Sequence, residues 1–90
     1  MNTELELLRK EINEVDEEMK ELFKKRMQIV AKISKFKSDN HLPTTDINRE
    51  KEILKTIELS SDSIIKEYYA DVMNALLQVS KDYQNKLNNY

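Results

Sequence analysis

Apolar residues recur along the first third of the chain in alternating steps of three and four. Counted from Leu5 they are Leu5, Leu8, Ile12, Val15, Met19, Leu22, then Ile29, Ile33 and Phe36, with one arginine, Arg26, in the same register. This rhythm predicts one amphipathic helix from about Thr3 to Ser38, since no proline or glycine interrupts it. Thr3 followed by Glu6 has the spacing of a capping box. "SDNHLPTTD" (38–46) collects turn formers and Pro43, so it reads as a loop. Asp46 then caps a second helix carrying Ile47, Ile53, Leu54 and Ile57. "SSDS" (60–63) breaks that helix and offers a new cap. A third helix follows from about Ser63 to Asn88, with Ile65, Tyr69, Val72, Leu76, Val79 and Tyr83 as its main apolar stripe. Met73, Leu77, Ser80, Gln84 and Leu87 form a second stripe. No strand pattern or repeat occurs. The expected class is all-α, three helices with one very long, in one domain over residues 1–90.

Length adds an expectation about assembly. A helix of ~36 residues is ~54 Å long, whereas a compact chain of this size has a radius of gyration of ~12 Å. The first helix overhangs any monomeric fold, and its seam is apolar throughout. The simplest cover is a second copy of the chain, a homodimer.

Composition removes several function classes. The chain has 90 residues, no glycine, no cysteine, one proline and one histidine. Phosphate-cradling and dinucleotide loops need glycine for close backbone approach, so neither is expected. Disulfides and thiolate metal sites are excluded, and His41 alone makes no histidine-rich metal site. No apolar run approaches the ~20 residues that span a bilayer. The amino-terminal stretch is charged rather than apolar, unlike a secretory signal. A soluble, cytoplasmic protein with no membrane partner is expected. The net charge of −2 argues against nucleic acid as a partner. Charge is nevertheless segregated: residues 1–21 hold eight carboxylates, and residues 22–37 hold six cations and no carboxylate. A helix complementing its own dipole accounts for Lys24, Lys25, Lys32 and Lys35, but not for Arg26 on the apolar face.

A charge in an apolar seam is costly unless it is paired or has a task. Lys37 lies three turns beyond Arg26 on nearly the same face, about 16.5 Å along the axis. In the second helix Glu50 breaks the rhythm of Ile47, Leu54 and Ile57, with Arg49 beside it. In the third, Ser80 and Gln84 sit one turn apart between apolar residues. Converged, Arg26, Lys37, Arg49, Glu50, Ser80 and Gln84 would make a small pocket for a compact polyanion bearing a hydroxyl. It holds no nucleophile with a partner base, so its chemistry would rest on positioning and electrostatics. Each residue also has an ordinary structural reading: Arg26 and Glu50 as a buried pair, Glu50 ionised beside Arg49, Ser80 as packing, Gln84 as solvent-facing, Lys37 as a dipole partner.

The segments "LLRKEINEVDEEMKELFKKRMQIVAKISKFK", "TDINREKEIL" and "SKDYQ" resemble the all-α chorismate mutases of the bacterial type. The resemblance covers residues 5 to about 87. The ordered set Arg9, Arg26, Lys37, Asp46-x-x-Arg49-Glu50 and Ser80-x-x-x-Gln84 carries it. It implies rearrangement of chorismate to prephenate, on the branch toward phenylalanine and tyrosine, without cofactor or metal. It also implies an intertwined dimer in which each site borrows Arg9 from the other copy. Arg9 lies about 25 Å from Arg26 along the helix, so an antiparallel pair of long helices is what brings them together. By this resemblance Arg9 and Arg26 hold the substrate carboxylates, and Lys37 and Gln84 donate to the ether oxygen. Glu50 accepts from the ring hydroxyl, while Asp46, Arg49 and Ser80 complete the polar lining, with Leu5, Ile33 and Leu77 as apolar wall. Asn13 stands where the family often has aspartate. Lys81 stands where an apolar wall residue is usual. Isochorismate pyruvate-lyases share the fold, and a non-catalytic helical dimer or regulatory module is the alternative of another class.

Overall fold

A computed structural model describes residues 3–60 and 62–88. Helix α1 runs Thr3–Asp39, α2 Ile47–Glu58 and α3 Ala70–Asn88, and a π-helical segment, Ile65–Tyr69, leads into α3. Among the described residues there is no strand. The all-α, three-helix expectation therefore holds. Thr3 is already helical where the described residues begin, so it is not seen in a capping conformation.

The helix ends follow local chemistry. Asp46 sits in extended backbone (φ −120°, ψ 93°), and its carboxylate accepts the Arg49 N–H at 3.0 Å, capping α2. The third helix is capped by Asp62, whose Oδ1 accepts the Ile64 N–H at 2.9 Å. At the end of α1 the Leu42 N–H reaches the Lys37 carbonyl (2.8 Å) and the His41 N–H reaches that of Ser38 (3.3 Å). This is the Schellman pattern, which needs a left-handed residue just past the helix. With no glycine in the chain, His41 takes that position at φ 55°. The stop fixes Lys37 as the last basic residue of α1 and turns the loop back beside it.

Packing is confined to one end of the molecule. The carboxy-terminal part of α1 lies against α3, and α2 packs against α3 and the π segment. Val30 and Ile57 are the buried apolar residues; Ser34, Ser80 and Gln84 are buried polar ones. Ser34 donates to Asn88 Oδ1 at 3.2 Å, tying the end of α3 to α1. Here the structure corrects the expected face of α3. The stripe turned inward is Met73, Leu77, Ser80 and Gln84, joined by Leu76 and Tyr83, while Ile65, Tyr69, Val72 and Val79 are exposed. The π segment bears on Ile65 and Tyr69 alone, because its i→i+5 turn absorbs an extra residue and puts the rhythm before Ala70 out of phase with the rhythm after it.

The other end of α1 is unaccompanied. Every residue from Thr3 to Lys25 is exposed, including Leu5, Leu8, Ile12, Val15, Met19 and Leu22. The chain measures 58 × 31 × 14 Å with a radius of gyration of 16.9 Å, well above the ~12 Å of a compact chain this long.

Candidate functional site

The three helices meet around a pocket of about 450 Å³. From α1, Arg26, Ile29, Val30, Ile33 and Lys37 reach it. The loop and the first turns of α2 supply Thr44, Asp46, Arg49, Glu50 and Ile53. Helix α3 supplies Leu77, Ser80, Lys81 and Gln84. Nine of the eleven residues nominated from the sequence are thus brought together: Arg26, Ile33, Lys37, Asp46, Arg49, Glu50, Leu77, Ser80 and Gln84. Arg9 and Leu5 do not line it; they sit on the exposed end of α1, with Arg9 about 25 Å from Arg26 along the axis.

Each polar side chain is held by a specific partner. The Arg26 guanidinium donates to the Ser80 hydroxyl, and that hydroxyl donates to the Leu76 carbonyl at 2.8 Å. Ser80 is therefore an orienting acceptor for Arg26. Lys37 Nζ donates to the Thr44 carbonyl at 2.8 Å and to Gln84 Oε1 at 3.4 Å. An ammonium has three donors, so one remains for a ligand. With its oxygen turned to Lys37, Gln84 keeps its NH₂ group as a donor. Among the described residues that NH₂ meets no acceptor, and Gln84 is part of the pocket lining.

The carboxylates are arranged otherwise than expected. Glu50 pairs with neither Arg49 nor Arg26. Its Oε1 meets Lys81 Nζ at 2.8 Å across the α2–α3 gap. Arg49 instead pairs with Glu52 at 3.2 Å, both about two-thirds exposed, a surface contact that restrains it little. The Asp46 carboxylate is occupied in capping α2, which sets the direction in which Arg49 and Glu50 leave the helix. Four cations against two carboxylates leave the lining net positive. Sequence reasoning did not nominate Ile29, Val30, Thr44 or Ile53, and it placed Lys81 in the pocket wall without a partner. Ile53 was legible as an apolar position of α2, whereas Thr44 contributes through its backbone, which no side-chain pattern reports. Among the described residues no group of three or more histidines, cysteines or carboxylates could hold a metal ion, and no helix is long and apolar enough to cross a membrane.

The family profile described as chorismate mutase type II matches residues 8–85. The chain belongs to the type II chorismate mutase family. A bifunctional chorismate mutase/prephenate dehydratase of Buchnera aphidicola subsp. Acyrthosiphon pisum is 34% identical over 88 residues. That match takes in 96% of this chain and 23% of the relative's length, so the chain corresponds to less than a quarter of that bifunctional protein. A solved structure of a conserved hypothetical protein from Pyrococcus furiosus superposes with a TM-score of 0.79 at 36% identity, over 93% of this chain and 99% of that one. The mutase-family match spans all three helices that build the pocket.

Proposed function

We propose that the chain is a chorismate mutase, catalysing the rearrangement of chorismate to prephenate toward phenylalanine and tyrosine. The observation that carries this reading is the convergence of Arg26, Lys37, Gln84 and Glu50 on one pocket. Chorismate offers two carboxylates, a ring hydroxyl and an ether oxygen. In the rearrangement the ether C–O bond breaks as a C–C bond forms, and negative charge develops on the ether oxygen. Arg26, pre-oriented by Ser80, holds one carboxylate. The remaining Lys37 donor and the Gln84 NH₂ lie side by side, suited to meet the ether oxygen as its charge grows. Donors aimed at developing charge are worth about 10²–10³ in rate each. Glu50 accepts from the ring hydroxyl, and the apolar wall of Ile33 and Leu77 favours the folded substrate shape that precedes reaction. Asp46 and Arg49 shape the hydroxyl end. No residue needs to form a covalent bond to the substrate.

Arg9 and Leu5 enter this reading through a homodimer. The exposed apolar stripe from Leu5 to Leu22 calls for cover, and a second copy laid antiparallel along α1 supplies it. The same arrangement carries Arg9 of one copy toward Arg26 of the other, where it meets the second carboxylate. The experiment is the loss of chorismate absorbance with purified protein and identification of the product. Prephenate formed at enzymatic rates supports the reading; no turnover refutes it.

A further inference from the structure

We infer that Lys81 is a positioning residue that holds the Glu50 carboxylate in place as the acceptor for the substrate's hydroxyl; this rests on the mutase reading above. The pair differs from every other ion pair among the described residues. Lys24–Glu21, Lys35–Asp39 and Arg49–Glu52 are local pairs on single helices, with all six side chains more than half exposed. Lys81–Glu50 joins two helices, at 2.8 Å, and the two side chains are only 26% and 24% exposed. Both line the pocket. Each charge is about three-quarters withdrawn from water, a desolvation cost that the opposite charge offsets.

The remaining cations of the pocket are committed elsewhere. Arg26 is held by Ser80 and Lys37 by Thr44 and Gln84, while Arg49 meets Glu52 at the surface. Lys81 is thus the cation that meets Glu50. The converse also holds: the Lys81 charge is neutralised by a carboxylate, whereas Arg26 and Lys37 rest on neutral oxygens. A ligand carboxylate therefore finds an uncompensated partner at Arg26, and Lys37 keeps its charge for the ether oxygen. The pocket divides into an anion-binding side on α1 and a hydroxyl-reading side where α2 meets α3. With Oε1 drawn to Lys81 by the opposite charge, Oε2 is left as the acceptor. An apolar residue at position 81 would leave Glu50 free to turn toward water or to draw Arg49 inward.

The test uses the full chain with Lys81→Met, Lys81→Arg, Glu50→Gln and the Lys81→Met/Glu50→Gln double variant. Unfolding midpoints are measured first, with no ligand. Each single change should destabilise, and the double should recover part of the loss; additive effects overturn the pairing. Turnover and calorimetric binding are then compared for chorismate and for its analogue with hydrogen in place of the ring hydroxyl. Lys81→Met should lower kcat/KM and affinity for chorismate about tenfold or more, the worth of a charged hydrogen bond. It should leave the analogue nearly unchanged, and Lys81→Arg should restore most of the loss. An equal loss for both ligands overturns the positioning role, since it marks a general structural effect or a direct carboxylate contact. Wild-type protein that neither binds nor converts chorismate overturns both the mutase reading and the role of Lys81 within it, while the unfolding cycle still reports on the pair separately.

Discussion

The two halves of α1 share one periodicity and meet different fates. From Thr3 to Lys25 every residue faces water, although Leu5, Leu8, Ile12, Val15, Met19 and Leu22 repeat at helical spacing. From Arg26 to Asp39 the same helix buries Val30 and Ser34 and places Arg26 and Lys37 in a pocket. What separates them is company. The second half has α3 and the α2 loop beside it; the first half has none in a single chain. A hydrophobic stripe states that a face wants cover, and says nothing about whose surface provides it. The polar breaches in the second half are informative for the opposite reason: a buried polar group must be satisfied, so its partners can be sought in the same chain.

The sharpest way to test this contrast is a charge removed from each half. Arg26→Ala and Arg9→Ala should each lower turnover by about 10²–10³ or more while the helical circular dichroism is unchanged. Mixing the two inactive variants should then restore about a quarter of wild-type activity after chain exchange, because half the dimers are mixed and each has one intact site. Mixtures that stay inactive after exchange would argue against Arg9 acting across chains, and an Arg9→Ala variant that keeps its turnover would place Arg9 outside the site.

A change at Gln84 probes the satisfied half alone. Gln84→Glu replaces a permanent donor with one that donates only when protonated. Activity at neutral pH should fall steeply and return as pH drops toward the carboxylate range of about 4. The wild-type protein should show no such rise below pH of about 5, because its amide needs no proton. A pH profile of kcat/KM for both proteins checks this.

Ile12→Ala asks whether the amino-terminal stripe is covered in solution. At a site exposed in the assembled protein the change costs within about 0.5 kcal/mol. Buried against a second copy it costs about 2–5 kcal/mol and shifts the protein toward monomer by sedimentation. Ile57→Ala, buried within the chain, is the internal standard and should cost about 2–5 kcal/mol in either case. The smallest expected effect is at the hinge between α1 and the loop. His41→Gly relieves a left-handed residue that costs roughly 1–2 kcal/mol, offset by the entropy glycine loses on folding. A net rise in stability of about 1 kcal/mol in denaturant melts is expected.

Much of this was legible before any tertiary contact was known. The length of α1 follows from an uninterrupted rhythm, and its end from the cluster around Pro43. Asp46 was recognisable as a cap because a short acceptor precedes an apolar run. Arg26, Lys37, Glu50, Ser80 and Gln84 were nominated because each is polar where its helix is otherwise apolar. Which stripe of α3 turns inward was not legible. Both stripes have helical spacing within α3, and the rotation that turns one of them toward α1 has no periodicity signal of its own. The Glu50 partner was not legible either. Arg49 is its neighbour in sequence, but successive residues leave a helix about 100° apart, so the contact went across space to Lys81.

By itself, then, the sequence determined what is local or periodic: three helices, the Asp46 cap, the loop, and the list of polar residues set against apolar faces. Those depend on backbone preferences and on spacings within one helix. The tertiary structure decided what depends on relative rotation of helices. It brought nine nominated residues around one pocket, bound Arg26 to Ser80 and Lys37 to Gln84, and gave Glu50 to Lys81. Such pairings join residues far apart in the chain, and a helix turned by one residue about its axis would exchange them for others.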